Sequence, residues 1–207
     1  IKALGMLTSA KLKAKKINSS SPILNGELEA SGPDLPLIMQ IVQRMQKADS
    51  ESIKLSKNLG KVKSKSFNIK TNFDANLSSG KIDLPLLSID TLGVNIGGSL
   101  KGKNIQKNSG SMKGSISIVS KNPKPLLIAL GQSDIAEVLK SIDINTDISG
   151  NTSNIGLKPL SLVAIFSGKN IPNSPVELKI RADSEIDFEK EILNLDSLQV
   201  SGLGLDV

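Results

Sequence analysis

The sequence predicts a mainly β protein with short helices. Its long, curved and largely antiparallel sheet is expected to form a β-groove that is built from repeats and is apolar on one face. Three observations favour this fold class. Apolar and polar residues alternate with a period of two along much of the 207-residue chain, turn-forming residues separate the alternating segments, and related strings of residues recur.

The alternation is clearest in residues 65–77 and 176–188, and shorter copies occupy residues 92–100, 112–118 and 142–148. In a pleated strand it places the apolar side chains on one side and Lys, Asp, Asn and Ser on the other. The residues predicted to line the groove are Phe67, Ile69, Phe73, Ile116, Ile118, Ile142, Ile144, Ile148, Leu178, Ile180, Ile186 and Phe188.

Short polar segments punctuate the predicted strands. Gly, Ser and Asn are residues that favour turns, and they recur at residues 79–80, 97–98, 108–110, 150–151 and 167–170. Strands in quick succession with tight turns predict a meander.

Two segments depart from the period of two. Residues 34–47 have helical spacing, with Pro36 suited to the first turn. Their predicted apolar stripe is Leu37, Ile38, Ile41, Val42 and Met45. This helix and the helices predicted in residues 122–140 must each bury an apolar stripe. We therefore expect them either to plug the sheet or to cap one of its ends. The side chains available as a plug are Leu37, Ile41, Leu127 and Leu130.

Residues 122–140 predict two further short helices. The first ends at Gly131, and the second is expected to be capped by Ser133 or Asp134. Its inward-facing residues are expected to be Ile135, Val138 and Leu139.

The composition removes much of the chemistry on which enzymes depend. There is no His and no Cys, which excludes the usual neutral-pH base, the thiolate nucleophile and the two commonest ligands of transition metals. The Ser-x-x-Lys pair Ser78 and Lys81 falls in a predicted turn. Acidic residues are scattered among the strands, at Asp83, Asp90, Asp143 and Asp147. We therefore expect no catalytic residue, metal site or cofactor, and no enzyme.

The net charge of +6 raises the question of an acidic partner. Nucleic acid is not favoured, because aromatics make up only 2% of the chain and only two residues are Arg. The tightest basic cluster is Lys11, Lys13, Lys15 and Lys16. Lysines of this kind cover the solvated face of a sheet and blunt its edges.

Internal similarity indicates a repeating unit of a strand, a Pro-flanked helix and further strands. KSFNI at residues 65–69 recurs as KSIDI at 140–144, and GKNI at 102–105 recurs at 168–171. The predicted units are residues 26–105 and 114–171, with a partial third unit at 172–207. Because the chain starts without Met and stops within an alternating pattern, residues 1–207 are expected to be a fragment of a larger repeat domain.

Two longer segments, GELEASGPDLPLIMQIV and GSISIVSKNPKPLLIALG, each lead from an alternating strand through a polar turn into a leucine-rich helix. LKSIDINTDISGNTSNIGLKPLSL has short strands with small polar turns, and DFEKEILNLDSLQVSGLGLDV closes with a leucine-aspartate-x-leucine strand. In these segments, over residues 26–207, the chain resembles the AsmA family of bacterial envelope proteins and their larger bridge-like relatives in lipid transfer.

The resemblance implies a periplasmic protein, anchored to the inner membrane by an N-terminal helix that these residues do not contain. It also implies a groove that binds phospholipid acyl chains and moves phospholipid between the inner and outer membranes, in outer-membrane biogenesis. The alternative is an envelope scaffold or outer-membrane protein assembly factor, whose sheet edges bind envelope proteins by strand addition. A closed α+β domain, with its apolar face fully covered, also fits the pattern.

Overall fold

Strands that are neighbours in the sequence are neighbours in the sheet. The computed structural model describes residues 2–3, 5–16, 18–19, 22–36, 50–63, 65–76, 78–105, 110–202 and 205–206. Within them it contains one open, antiparallel, twelve-stranded sheet whose strand order is the chain order. The strands are β1 (Lys2–Ala3), β2 (Met6–Lys15), β3 (Ile23–Gly32), β4 (Phe67–Asn76), β5 (Lys81–Thr91), β6 (Val94–Lys103), β7 (Ser111–Ser120), β8 (Leu139–Gly150), β9 (Asn154–Phe166), β10 (Val176–Asp187), β11 (Ile192–Gly202) and β12 (Leu205–Asp206). The predicted mainly β meander is confirmed.

Connections in such a meander alternate between the two ends of the sheet. The β3–β4, β5–β6 and β7–β8 connections therefore share one end, which we call the capped end. The β2–β3, β4–β5, β8–β9 and β10–β11 connections share the other, the hairpin end. The helices are α1 (Ser50–Leu59), α2 (Lys124–Ala129) and α3 (Ser133–Val138). All three belong to connections at the capped end.

The helices build a small core at the capped end. Its buried residues are Leu59, Val62, Leu92 and Ala129, and Leu35, Leu55, Leu126 and Ile128 pack against them. Leu130, one of the proposed plugs, is 54% exposed. Leu37, Ile41 and the rest of the predicted stripe of residues 34–47 lie outside the described residues, although Leu35 and Pro36 are helical. Within the described chain the helices cap an end of the sheet.

Three details of the helices differ from the sequence prediction. α1 was not predicted, because its Ser- and Lys-rich sequence has only three apolar residues, Ile53, Leu55 and Leu59. The residue preceding α3 is Gln132, and no side chain makes the capping hydrogen bond expected of Ser133 or Asp134. Ile135 is 43% exposed, whereas Ala136 is buried and Leu139 already pairs as the first residue of β8. A six-residue helix that leads directly into a strand is too short for the expected stripe.

The tight turn of the β5–β6 hairpin is Leu92–Gly93, and the prediction of a turn at Gly97–Gly98 is wrong. Leu92 and Gly93 have φ angles of 53° and 76°, the backbone that a two-residue hairpin turn with matching twist requires. A leucine is unfavourable there, but its side chain is buried in the core of the capped end. Burial therefore compensates for a backbone conformation that sequence rules assign to Gly or Asn.

Three of the long strands carry an extra residue near their middle. β5 has one extra residue relative to both β4 and β6, and β9 has one relative to both β8 and β10. β11 has one extra residue relative to β10. Pro85 and Pro159 lie at the first two bulges. Proline is tolerated there because a bulge leaves a backbone position out of the hydrogen-bonded ladder.

The order of elements repeats. β3 is followed by a helical connection and then β4, β5 and β6, and β7 is followed by a helical connection and then β8, β9 and β10. Gly26 and Gly114, which the internal alignment matches, are each the fourth residue of their strand. That residues 1–207 belong to a larger repeat domain stays a prediction.

We predict that Leu59→Ala lowers the free energy of unfolding by about 2–5 kcal/mol. The substitution leaves a cavity in the core of the capped end, where the described helices pack against the turn of the β5–β6 hairpin. Leu130→Ala, which removes the same atoms from a side chain that is 54% exposed, should change it by about 0.5 kcal/mol. Urea denaturation followed by circular dichroism measures both. Equal losses would show that the capped end is not a cooperative core.

Two adjacent glycines of β6 give a second prediction. A Cβ on Gly98 would lie 2.6 Å from the backbone oxygen of Ser115, whereas one on Gly97 would have nothing within 4 Å. Gly98→Ala should therefore lower the free energy of unfolding by about 1–3 kcal/mol. Gly97→Ala should leave it unchanged or raise it by about 0.5–1 kcal/mol. The same denaturation experiment compares them, and equal behaviour would contradict the close approach of β6 and β7.

Candidate functional site

The strand register aligns aliphatic residues into rows that cross the sheet. Directly paired residues of an antiparallel ladder point to the same face. The central row is formed by the successive partners Thr8, Ala30, Ile69, Ile89, Ile96, Ile118, Ile144, Leu162, Ile180 and Val200. With about 4.8 Å between strands, this row extends for about 43 Å.

Parallel rows lie on the hairpin-end side of the central row. One consists of Ala10, Leu28, Thr71, Leu87, Gly98, Ile116, Thr146, Leu160, Ala182 and Leu198. Another consists of Ala14, Leu24, Ala75, Ile82, Gly102, Met112, Gly150, Ile155, Ile186 and Leu193. We call these three the aliphatic rows. Their only hydroxyl groups belong to threonines, and they contain no charged residue.

The predicted groove residues fall on the same face as the aliphatic rows, with one exception. Eleven of the twelve lie in β4, β7, β8 or β10 at positions that the register places on that face. Phe188 lies one residue beyond β10, in the turn to β11, and is 55% exposed. Phe188 continues the alternation of apolar residues along β10, but the strand ends at Asp187. That these residues hold lipid stays a prediction.

Sequence reasoning missed several members of the rows. Ile82, Leu87 and Ile89 of β5 alternate less clearly, because Pro85 and the bulge shift the period by one residue. Ile155, Leu160 and Leu162 of β9 were missed for the same reason. The usable signal was the proline itself, since proline inside an alternating segment indicates a bulge.

The aliphatic rows remain accessible. Ile96, Ile118, Ile144 and Ile180 of the central row are neither buried nor fully exposed. Exposure rises at the β11 edge, where Leu193 is 60% exposed. An ordinary sheet buries such side chains under a second layer. Within the described residues the helices pack at the capped end, and these members of the central row stay partly exposed.

The opposite face is polar, and ion pairs link its strands. Lys11 lies 3.3 Å from Glu27, and Lys70 lies 2.9 Å from Glu29. The partners of each pair are directly opposite in the register. Such exposed pairs contribute little to stability, but like charges at these positions would oppose the register.

Two further pairs shift the pKa values of exposed groups. Lys158 of β9 reaches across β10 to donate a hydrogen bond to Asp196, 2.5 Å away, which raises the pKa of Lys158. Lys190 donates to Asp187 at 2.8 Å, and this hydrogen bond lowers the pKa of Asp187. Both shifts favour the charged forms that these groups already have at neutral pH. They therefore stabilise surface charge and provide no group poised for proton transfer.

Three open cavities within the described residues lie on the polar face. One of about 440 Å³ is lined by Ser115, Ser117, Asn145, Asp147 and their neighbours. The others, of about 500 and 150 Å³, share Lys11, Glu27 and Asn72. Gly98, Ile116 and Thr146 of the aliphatic rows line part of the first cavity and Leu28 part of the third, but most of the lining residues belong to the polar face. A ligand on the partly exposed rows would be held by contact area.

The Ser-x-x-Lys pair lies at the turn between β4 and β5. Asn76 Oδ1 accepts hydrogen bonds from the backbone N–H groups of Ser78 and Ser79, at 3.2 and 3.1 Å, which shapes the β4–β5 turn. Ser78, of the Ser-x-x-Lys pair, thus belongs to a solvent-exposed turn. Among the described residues, no group of three or more acidic side chains could hold a metal ion. None of the described helices is long and apolar enough to cross a membrane.

Comparison with protein-family models, with curated proteins and with solved structures gives no match for this chain.

Proposed function

We propose that this chain binds the acyl chains of phospholipids on the aliphatic rows and is a lipid-binding segment of a larger lipid-transport protein. The single observation that supports this most is the unbroken central row, in which eight of ten successive partners are Ile, Leu or Val. The aliphatic face of the sheet suits contact with an acyl chain. The opposite face, with its ion pairs, suits contact with water.

The chemistry of the rows favours acyl chains over a compact ligand. Burying one methylene group is worth about 0.8 kcal/mol, so about ten methylenes of an acyl chain would contribute about 8 kcal/mol. Eighteen of the thirty row members are Ile, Leu or Val, and the rows contain no aromatic ring and no charged group to fix an orientation. A lipid held in this way is bound without a preferred position along the row, and it can slide.

The wider role rests on the resemblance to the AsmA family. In that proposal the parent protein is anchored in the inner membrane, its sheet lies in the periplasm, and phospholipid moves along the rows between the inner and outer membranes. Each aliphatic row runs across the strands. A lipid that moves along a row therefore moves in the direction in which additional strands lengthen the sheet.

An envelope scaffold or outer-membrane assembly factor is the second candidate. It is supported by the β11 edge, where Leu195 and Leu198 are 54% and 53% exposed. Exposed edge strands bind extended segments of other proteins by adding a strand. A protein partner would then contact the edges, whereas a lipid would contact the rows.

A matched pair of substitutions tests lipid binding. Ile144 and Asn145 are adjacent in β8 and point to opposite faces. We expect Ile144→Lys to reduce the phospholipid that co-purifies by at least about tenfold, because a lysine in the row would be desolvated by the acyl chain. Asn145→Lys adds the same charge to the polar face and should leave the bound lipid unchanged. Native mass spectrometry of protein purified from bacterial membranes measures both, with circular dichroism as the check on folding.

Photocrosslinking locates the lipid independently. A photoreactive side chain at Phe73, Ile144 or Ile180 should capture lipid. The matched positions on the polar face, Lys70, Asn145 and Lys179, should not. Equal labelling from both sets would refute binding on the rows. A photoreactive side chain at Leu195 of β11 that captures protein in place of lipid would favour the scaffold.

A further inference from the structure

The aliphatic rows run between two long margins, the capped end and the hairpin end, and these margins differ in charge. Because connections alternate between the ends, the β9–β10 connection also belongs to the capped end and the β6–β7 connection to the hairpin end. The capped-end connections contain ten basic and five acidic residues, a net charge of +5, in residues 33–66, 92–93, 121–138 and 167–175. The hairpin-end connections contain three lysines and two glutamates, a net charge of +1, in residues 16–22, 77–80, 104–110, 151–153 and 188–191.

Lysines of the capped end are available to an anion. Five of them are exposed and form no ion pair within the described residues: Lys57, Lys61, Lys63, Lys121 and Lys169. Lys61 donates a hydrogen bond to Asn58 Oδ1, 3.1 Å away, and this neutral partner leaves its charge uncompensated. Lys124 is excluded from the five because it lies 2.7 Å from Glu137. Asp134 is exposed and forms no ion pair in the same part of the chain, so it offsets one of the five.

The aliphatic face is wide enough along the strands for an acyl chain. Two residues from the central row toward the capped end, this face is buried, and Phe67, Val94 and Ala164 are at most 5% exposed. Ile144 of the central row is partly exposed, so the cover ends between these positions. From Ile144 to Gly150, β8 extends for about 20 Å. The acyl chains of one bilayer leaflet fill about 15 Å, half of the hydrocarbon core. An acyl chain that lies along the strands therefore fits, with its headgroup at one margin.

From these observations we infer that the rows bind phospholipids whose headgroups carry a net negative charge, with the phosphate toward the lysines of the capped end and the acyl chains along the strands. The inference rests on the proposed binding of acyl chains to the rows, and it adds the class of lipid and its orientation. Lysines attract anionic headgroups at short range, and salt screens the attraction. The five lysines extend from the β3–β4 to the β9–β10 connection, about 29 Å across six strands. A lipid that moves along the rows thus stays near positive charge.

The reverse orientation, with the phosphate at the hairpin end, is disfavoured by the β10–β11 turn. Glu189 and Glu191 of that turn are exposed, and both would repel an anionic headgroup. Lys190 does not compensate them, because it lies 2.8 Å from Asp187. The β4–β5 and β8–β9 turns contain no charged residue. The hairpin end therefore provides no line of positive charge along the rows.

Competition between two lipids tests the preference. The protein is incubated with equal amounts of phosphatidylglycerol and phosphatidylcholine that have the same acyl chains, and the lipid bound to the repurified protein is quantified by mass spectrometry. We expect phosphatidylglycerol, which has the net negative charge, to be at least about fivefold enriched, and the ratio to fall toward one in high salt. Glycerol phosphate, which has the anionic group and no acyl chain, should not displace it.

Charge reversal locates the source of the preference. Lys63→Glu with Lys121→Glu should lower the ratio of the two lipids to near one and leave the total lipid bound unchanged. Lys81→Glu with Lys103→Glu changes the net charge equally. Both control positions are exposed on the polar face near the hairpin end, so this variant should keep the preference. Circular dichroism checks the folding of both proteins.

A phosphatidylglycerol with a photoreactive headgroup determines the orientation. It should label residues 57–63 and 121–124 in preference to residues 78–80 and 151–153, as mapped by peptide mass spectrometry. Preferential labelling of the hairpin end, equal binding of the two lipids, an unchanged ratio in the Lys63→Glu, Lys121→Glu protein, or displacement by glycerol phosphate would each overturn the inference and leave acyl-chain binding in place. The absence of both lipids would overturn the proposed function and this inference with it.

Discussion

The antiparallel register is the constraint on which the rest of this structure depends. Each long strand pairs with the next so that aliphatic side chains meet aliphatic side chains, and a slip of one residue would turn a whole strand over. Ion pairs such as Lys70 with Glu29 occupy directly opposite positions and reinforce the same alignment from the polar face. The register thus creates two chemically distinct surfaces from a sequence that is simple in composition.

The bulges keep those surfaces continuous. Proline at positions 85 and 159 would interrupt a regular ladder, but each lies where its strand gains one residue relative to both neighbours. The alternation therefore returns to phase, and Leu87 and Leu160 rejoin the same row on either side of Ile116. Small residues, among them Gly98, allow close backbone approach within that row. The aliphatic rows survive because β5 and β9 each gain their extra residue relative to both neighbours, so the strands on either side stay aligned.

The alternation in the sequence was sufficient for β4, β6, β7, β8 and β10 and insufficient for the junctions between strands. Period-two alternation located Phe67, Ile69, Ile144 and Ile180, because a pleated strand leaves no other arrangement for such a pattern. Leu92 was out of reach, since its left-handed backbone is compensated by burial in a core that forms only in three dimensions. The rows of β5 were obscured by a bulge, and α1 by its small number of apolar residues. Local sequence pattern predicted the secondary-structure elements. Tertiary contacts determined the turns, the helix caps and the phase of the alternation along each strand.

The agreement between strand order and chain order governs how this protein can be made. Within the described residues, every strand after β1 pairs with the one that precedes it in the sequence, so each strand pairing closes a single connection, the longest of which lies between β3 and β4. A nascent chain can add one hairpin at a time to the growing edge, without waiting for a distant segment to emerge from the ribosome. Each completed strand then serves as the template for the next. The strand made most recently forms the edge of the sheet to which the next strand pairs.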